Sequence, residues 1–229
     1  MHPTRIQVRA TTGPATTPSL EDELVAAGPA VAADPGRAPA EVRRWLRTLW
    51  AVGAWLRGRH DAVADATSPA PPAPERPTWT RPAALPAPYR VSLEHWADAL
   101  AAGGTALQGP LGLDRLHAQP SGVVLVRVTA HLLGDPAADV GGVVGDLARL
   151  QWYVEAAGRP AGTLQRLTAA FTTGYRGLPP DARLDESALR RAVALRVGHR
   201  AGEPAPPPGG DDGAAPVRAL VERAWLLED

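Results

Sequence analysis

The sequence predicts a mainly α-helical protein that carries one small β-hairpin. Three observations lead there. Apolar residues recur at three- and four-residue spacing over successive stretches of the chain, as on helices with one buried face. The apolar residues are mostly alanine, leucine and valine, with one isoleucine (Ile6), one phenylalanine (Phe171) and seven tryptophans, which suits close-packed helices better than a large sheet. The run VVLVRV at 123–128 reads as a single buried strand behind a turn.

Each element can be justified in chain order. Residues 1–38 carry Pro3, Gly13, Pro14, Pro18, Pro29, Pro35 and Gly36 around one helical candidate, SLEDELVAAG, capped by Ser19 and stopped at Gly28. They read as an extended N-terminal arm without a core of its own. From Pro39 to about Arg57, Val42, Trp45, Leu49, Val52 and Leu56 share one helical face, and proline suits the first turn. Trp45, Trp50 and Trp55 recur every five residues, so they cannot all face the same way; either some are exposed or the arm and the following linker cover them. The linker, residues 68–90, is proline-rich and reads as extended chain, since proline has no N–H for a ladder.

Beyond it, Ser92 caps a helix ended by Gly103 and Gly104. Leu116 to Ala118, a turn over 119–122 and the strand 123–128 form the hairpin. Asp135 and Pro136 open a helix through Glu155, with Val140, Val143, Val144, Leu147 and Val154 on one side. Helices follow over 161–176 (Leu164, Leu167, Phe171, Tyr175), over 185–201 behind Asp185, and over 216–227 behind Pro216, with a mobile loop at 203–215.

Composition excludes whole chemistries. The 229 residues hold 24 basic and 24 acidic side chains, all the basic ones are arginine, and there is no lysine, asparagine or cysteine. No Schiff-base lysine, phosphate-loop lysine, thiolate nucleophile, disulfide or cysteine-bound metal is possible. Zero net charge gives no reason to expect nucleic acid or an anionic membrane as partner. The first residues lack the apolar core of a signal peptide and no run approaches a membrane span, so a cytoplasmic location is expected. The histidines do not fall at metal-ligand spacing, and no metal site is expected.

The stretch LQGPLGLDRLHAQPSGVVLVRVTAHLLGDPAADVGG, residues 107–142, resembles the catalytic loop, metal-binding hairpin and following helix of the aminoglycoside phosphotransferase family, small-molecule kinases of protein-kinase-like fold. The resemblance covers roughly residues 37–229. It rests on Gly109, the turn at Ser121 and Gly122, the strand VVLV, and Gly134, Asp135, Pro136 and Asp139. It implies a kinase-like C-terminal lobe at 39–229, with 1–38 as the remnant of an N-terminal lobe.

In that register the family's loop histidine falls on Gln108, its catalytic aspartate on Pro110, its loop asparagine on Arg115 and its metal-binding aspartate on Arg127. Proline has no acid or base and guanidinium cannot bind a cation, whereas phosphoryl transfer needs both functions. The nucleotide-gripping lysine is also absent. The expectation is a degenerate, pseudokinase-like protein, neither catalytic nor binding ATP and magnesium. Its partner would be another protein; because family members occur in bacterial clusters that modify ribosomal peptides, a biosynthetic enzyme or a precursor peptide is the candidate.

Other readings stand beside this one. Asp135 and Asp139 are either site residues or a helix cap and a brace for the loop backbone. Arg115 and Arg127 either form an anion pocket or face solvent. Asp114, four residues after the lost aspartate, is the candidate displaced base for a phosphotransferase of relocated residues, with His117 and His131 flanking the hairpin. A metabolite could also bind in the family's acceptor pocket, between the helices of 92–102, 139–155 and 161–176.

Overall fold

Capping and apolar spacing set most of the helices. In the computed structural model, which describes residues 6–27, 40–64, 87–109, 111–128, 132–177, 184–200, 218, 219 and 222, Ser19 closes a capping box with Asp22. The Asp22 N–H donates to the Ser19 hydroxyl (3.1 Å) and the Ser19 N–H to the Asp22 carboxylate (3.0 Å), which satisfies two donors that a helix start otherwise leaves open. Helix α1 then runs Leu20–Ala26.

Helix α2, Ala40–Ala64, buries Val42, Trp45, Leu49, Val52 and Leu56, the predicted stripe. It continues two turns past Arg57 and so carries His60 inward. Of its tryptophans, Trp45 is buried and donates its indole N–H to Glu23 of α1 (2.9 Å), Trp55 is half-buried, and Trp50 is 50% exposed.

Helix α3, Ala87–Ala101, begins five residues before Ser92, inside the stretch read as linker. Ser92 is therefore an interior helical residue and not a cap. Pro88 in the first turn is no obstacle, because the first N–H groups of a helix have no intrahelical acceptor. The rest of the linker, Pro39 and the loop at 203–215 lie outside the described residues, as does most of the 216–227 helix, of which residues 218, 219 and 222 are helical.

Five short strands follow two patterns. β1 (Gln7–Thr11) runs parallel to β4 (Val123–Arg127), and β4 pairs antiparallel with β3 (Leu116–Ala118), in the order β1-β4-β3. The hairpin is thus widened by a strand from the arm. β2 (Thr105–Leu107) pairs antiparallel with β5 (Leu132–Gly134) in a second ribbon that the sequence reading did not anticipate, each strand being too short to show alternation. Helices α4 (Ala137–Ala156), α5 (Gly162–Arg176) and α6 (Glu186–His199) complete the described fold, α6 with Asp185 as its N-cap.

Glycines set two helix contacts. A Cβ on Gly53 or Gly174 would collide with the backbone of α5 or α2, so these two helices touch main chain to main chain. On α4, a side chain at Gly141 would collide with Ala192 of α6, and one at Gly145 would press on the Arg196 side chain. Phe171, Leu167, Leu147 and Val143 fill the core between these layers. Among the described residues no helix is long and apolar enough to cross a membrane.

The arm shares this core. Leu20 (0% exposed) and Leu24 (4%) belong to the main apolar cluster, and Ile6 and Val8 pack against it. Leu20→Ala is expected to lower unfolding free energy by about 2–5 kcal/mol in urea titrations; a change within about 0.5 kcal/mol, typical of a surface site, would show that the arm is not part of the folded unit.

Candidate functional site

Residues 108–109 and 111–115, a loop, lie against one face of α4. Asp139, Gly142 and Asp146 follow at three- and four-residue spacing and so line that face. Gly142 lets the loop in: any side chain there would collide with the Leu111 carbonyl oxygen. The two aspartates, each 1% exposed, then fasten the loop by its main chain. Asp139 Oδ2 accepts the Gln108 N–H at 2.7 Å, and Asp146 Oδ2 accepts the Leu113 N–H at 2.8 Å. Between these anchors Gly109 takes a left-handed φ of 87°, a conformation that glycine adopts without strain.

Behind Asp139 stands a buried chain of polar groups. His60 Nε2 lies 3.2 Å from Asp139 Oδ2, and His60 Nδ1 lies 2.8 Å from the Tyr175 hydroxyl, with the rings of His60 and Tyr175 meeting edge to face. Helices α2, α4 and α5 each supply one member. Burial pushes the Asp139 pKa up, against the hydrogen bonds from His60 and the Gln108 N–H. Burial and the nearby Asp139 charge push the Tyr175 hydroxyl far up as well, so that it stays protonated.

Behind Asp146 stands an ionic cluster. Arg196 donates from Nε to Asp146 Oδ1 (2.8 Å) and from Nη2 to Asp146 Oδ2 (2.8 Å) and to Asp114 Oδ1 (2.7 Å). Burial acts to lower the Arg196 pKa, but Asp146 and Asp114 hold it above the ordinary arginine value. Arg200 reaches Glu21 of α1 (2.5 Å) and Asp114 (3.7 Å), and Arg149 also reaches Glu21 (3.3 Å). Burial, and then Asp146, raise the Glu21 pKa, opposed by Arg200 and Arg149. Glu21, Asp114 and Asp146 are close enough to suggest a cation site, but three guanidinium groups already occupy their oxygens and the cluster sums to zero charge.

The predicted site residues therefore have distinct fates. Gln108 is buried (3% exposed) and its side-chain oxygen has no hydrogen-bond partner among the described residues. Pro110 and His131 lie outside the described residues. Arg115 is partly covered, 3.8 Å from Asp114, while Arg127 is exposed at the end of β4. Asp114 is tied to Arg196 and Arg200. His117 is buried beside the arm, with Nδ1 2.9 Å from the Thr17 carbonyl oxygen. Asp135 Oδ1 accepts the Ala137 N–H (2.8 Å), which is a helix-capping contact. Sequence reasoning missed Asp146, Arg196, Glu21, His60 and Tyr175. The seven-residue spacing of two acids around a glycine in ADVGGVVGD was the available signal.

Among known proteins, no family model matches the sequence and no curated protein matches it. A solved structure of a glucosamine kinase (crystal form B) is similar at 15% identity and a TM-score of 0.48, over 92% of this chain and 57% of that one. The chain thus spans somewhat over half the length of that kinase. What the structure itself establishes is a mostly helical fold with two small sheets and a loop braced from one helix.

Asp139 offers a test with a defined sign. Because its pKa is raised by folding, the native protein keeps a proton that the unfolded chain has released, so stability increases as pH falls from the raised value toward the ordinary aspartate value of about 4 and is lost as pH rises across that interval. Asp139→Asn keeps an acceptor for the Gln108 N–H and should flatten this slope in melting curves. Asp139→Ala leaves a buried N–H and His60 unmatched and should cost about 1–3 kcal/mol more than the asparagine variant at any pH. Equal stability of the two variants would remove Asp139 as a brace.

Proposed function

We propose that this chain is a non-catalytic, phosphotransferase-like binding protein that works through another protein. The observation that carries the reading is the loop 108–115: its main chain is fastened at Gln108 and Leu113 by buried aspartates, while its one acidic side chain, Asp114, is paired with arginines. Gln108 is buried, Arg115 and Arg127 are cations where the resembled family places metal-binding groups, and Asp114 is engaged by Arg196, Arg200 and Arg115. On this reading the loop is the frame of a catalytic loop kept as a structural element. A biosynthetic enzyme or its precursor peptide is the partner class that the sequence resemblance favours.

The competing reading, a small-molecule phosphotransferase with Asp114 as base, requires Asp114 to be free to accept a proton from an acceptor hydroxyl. Arg196 and Arg200 both lie on the one carboxylate oxygen Oδ1. Isothermal calorimetry with ATP and magnesium separates the two. No heat of binding is expected up to about millimolar nucleotide, which corresponds to less than about 4 kcal/mol of affinity. Micromolar binding together with acceptor-dependent ADP release that is abolished in Asp114→Ala would establish the phosphotransferase instead.

A further inference from the structure

One buried polar side chain of α2 is left unused by the rest of the fold. Thr48 is 2% exposed and makes no side-chain hydrogen bond among the described residues; it opens instead on a partly open cavity of about 150 Å³. Arg44 and Arg47 line the cavity from the same helix, at three- and four-residue spacing and therefore on one face with Thr48. The β3–β4 hairpin with its turn, together with Ile6, supplies the remaining walls, where Ile6, Pro120 and Val124 are apolar. The turn is held in place by its own main chain: the Gly122 N–H donates to the Gln119 carbonyl (3.0 Å), the Gln119 N–H to the Val123 carbonyl (2.8 Å), and the Gly122 carbonyl accepts the Gln7 N–H (3.1 Å). The cavity is thus walled by backbone that is already fixed.

Only the two arginines among the lining residues carry charge, and they differ. Arg44 is neutralised by Glu23 (2.7 Å). Arg47 is exposed, donates from Nε to the Arg43 carbonyl (3.3 Å), and has no carboxylate partner among the described residues. Its two terminal nitrogens remain, a fork that matches a carboxylate by two parallel hydrogen bonds. One uncompensated positive charge, one unpartnered hydroxyl and apolar walls around a space of about five water volumes are the features of a site for a small amphipathic anion.

We infer that this cavity binds a small monocarboxylate with a short branched aliphatic body. The carboxylate lies on the Arg47 fork and accepts a hydrogen bond from the Thr48 hydroxyl, and the aliphatic body lies against Ile6, Pro120 and Val124. A single negative charge matches the single free cation, whereas a phosphate dianion would bring a second charge with no partner into a largely apolar space. None of the lining residues belongs to the loop 108–115, so nucleotide binding in the calorimetric experiment would overturn the non-catalytic reading and leave this site standing.

The probe is 3-methylbutanoate, titrated into the isotope-labelled full chain and followed by NMR, with 3-methylbutanamide as the uncharged isostere and inorganic phosphate as the dianion. Saturable shifts are expected at the Ile6 and Val124 methyl groups and the Thr48 amide, half-complete below about 1 mM, with both control compounds weaker by about tenfold or more. Arg47→Gln and Thr48→Val should each weaken carboxylate binding about tenfold. Thr48→Val removes a hydroxyl that has no internal partner, so it should melt at or above the wild-type temperature; a lower temperature would reveal such a partner and take the hydroxyl away from the site. The comparison of acid with amide on the wild-type chain needs no variant. Equal binding of the two, or no saturable shift at about 10 mM carboxylate, as for a cavity that holds only water, would overturn the inference.

Discussion

The described fold depends on one buried guanidinium. Arg196 enters from α6, is 3% exposed, and finds in Asp146 of α4 a partner for two of its N–H groups and in Asp114 of the loop a partner for another. A charge of this kind is expensive to remove from water, and it is tolerated only where opposite charge and hydrogen bonds surround it. The constraint acts in both directions. Two helices and the loop must hold their relative positions for Arg196 to remain paired, and removing one partner leaves a buried charge with a penalty of about 3–5 kcal/mol. Gly145 and Gly112 belong to the same constraint, since a side chain at either would collide with Arg196 or its carboxylates.

Helix α4 distributes this constraint over the loop. Its two aspartates are seven residues apart, two turns, and each holds a main-chain N–H five residues from the other. The Asp146 end is ionic and continues through Arg200 and Glu21 into the arm; the Asp139 end is a hydrogen-bonded chain through His60 to Tyr175. Raising the Asp139 pKa and tying His60 to a protonated tyrosine makes the second anchor tolerant of a neutral carboxyl, whereas the first needs every charge present. The loop is thereby fixed by interactions of two different physical kinds, which respond differently to pH and to salt.

Local signals made much of the framework legible. The stripe Val42, Trp45, Leu49, Val52 and Leu56, the capping residues Ser19 and Asp185, and the hairpin at 116–128 are written in neighbouring residues, and the structure places them so. The parallel pairing of β1 with β4 was not legible, because its partners are more than a hundred residues apart and QVRAT alternates weakly. The early start of α3 was hidden by proline, which ordinarily argues against helix yet is harmless in a first turn. At the site, the spacing of Gly134 to Asp139 marked the helix, but nothing local connects Arg196 to Asp114 or His60 to Asp139. Pairings of buried ions are set by three-dimensional packing, and a sequence shows only that the charges exist.

The absence of lysine bears on this same network. Six buried or half-buried ionic groups meet around the loop, and each cation is an arginine. Arginine's planar fork can hold two carboxylates at once from a single rigid group, as Arg196 does, and its charge survives burial that would strip a proton from lysine. A genome that favours arginine would suffice to explain the count, but the geometry uses what arginine alone provides. The residue that excludes a lysine-dependent nucleotide grip is the one that ties the loop to α6 and, through Glu21, to the arm.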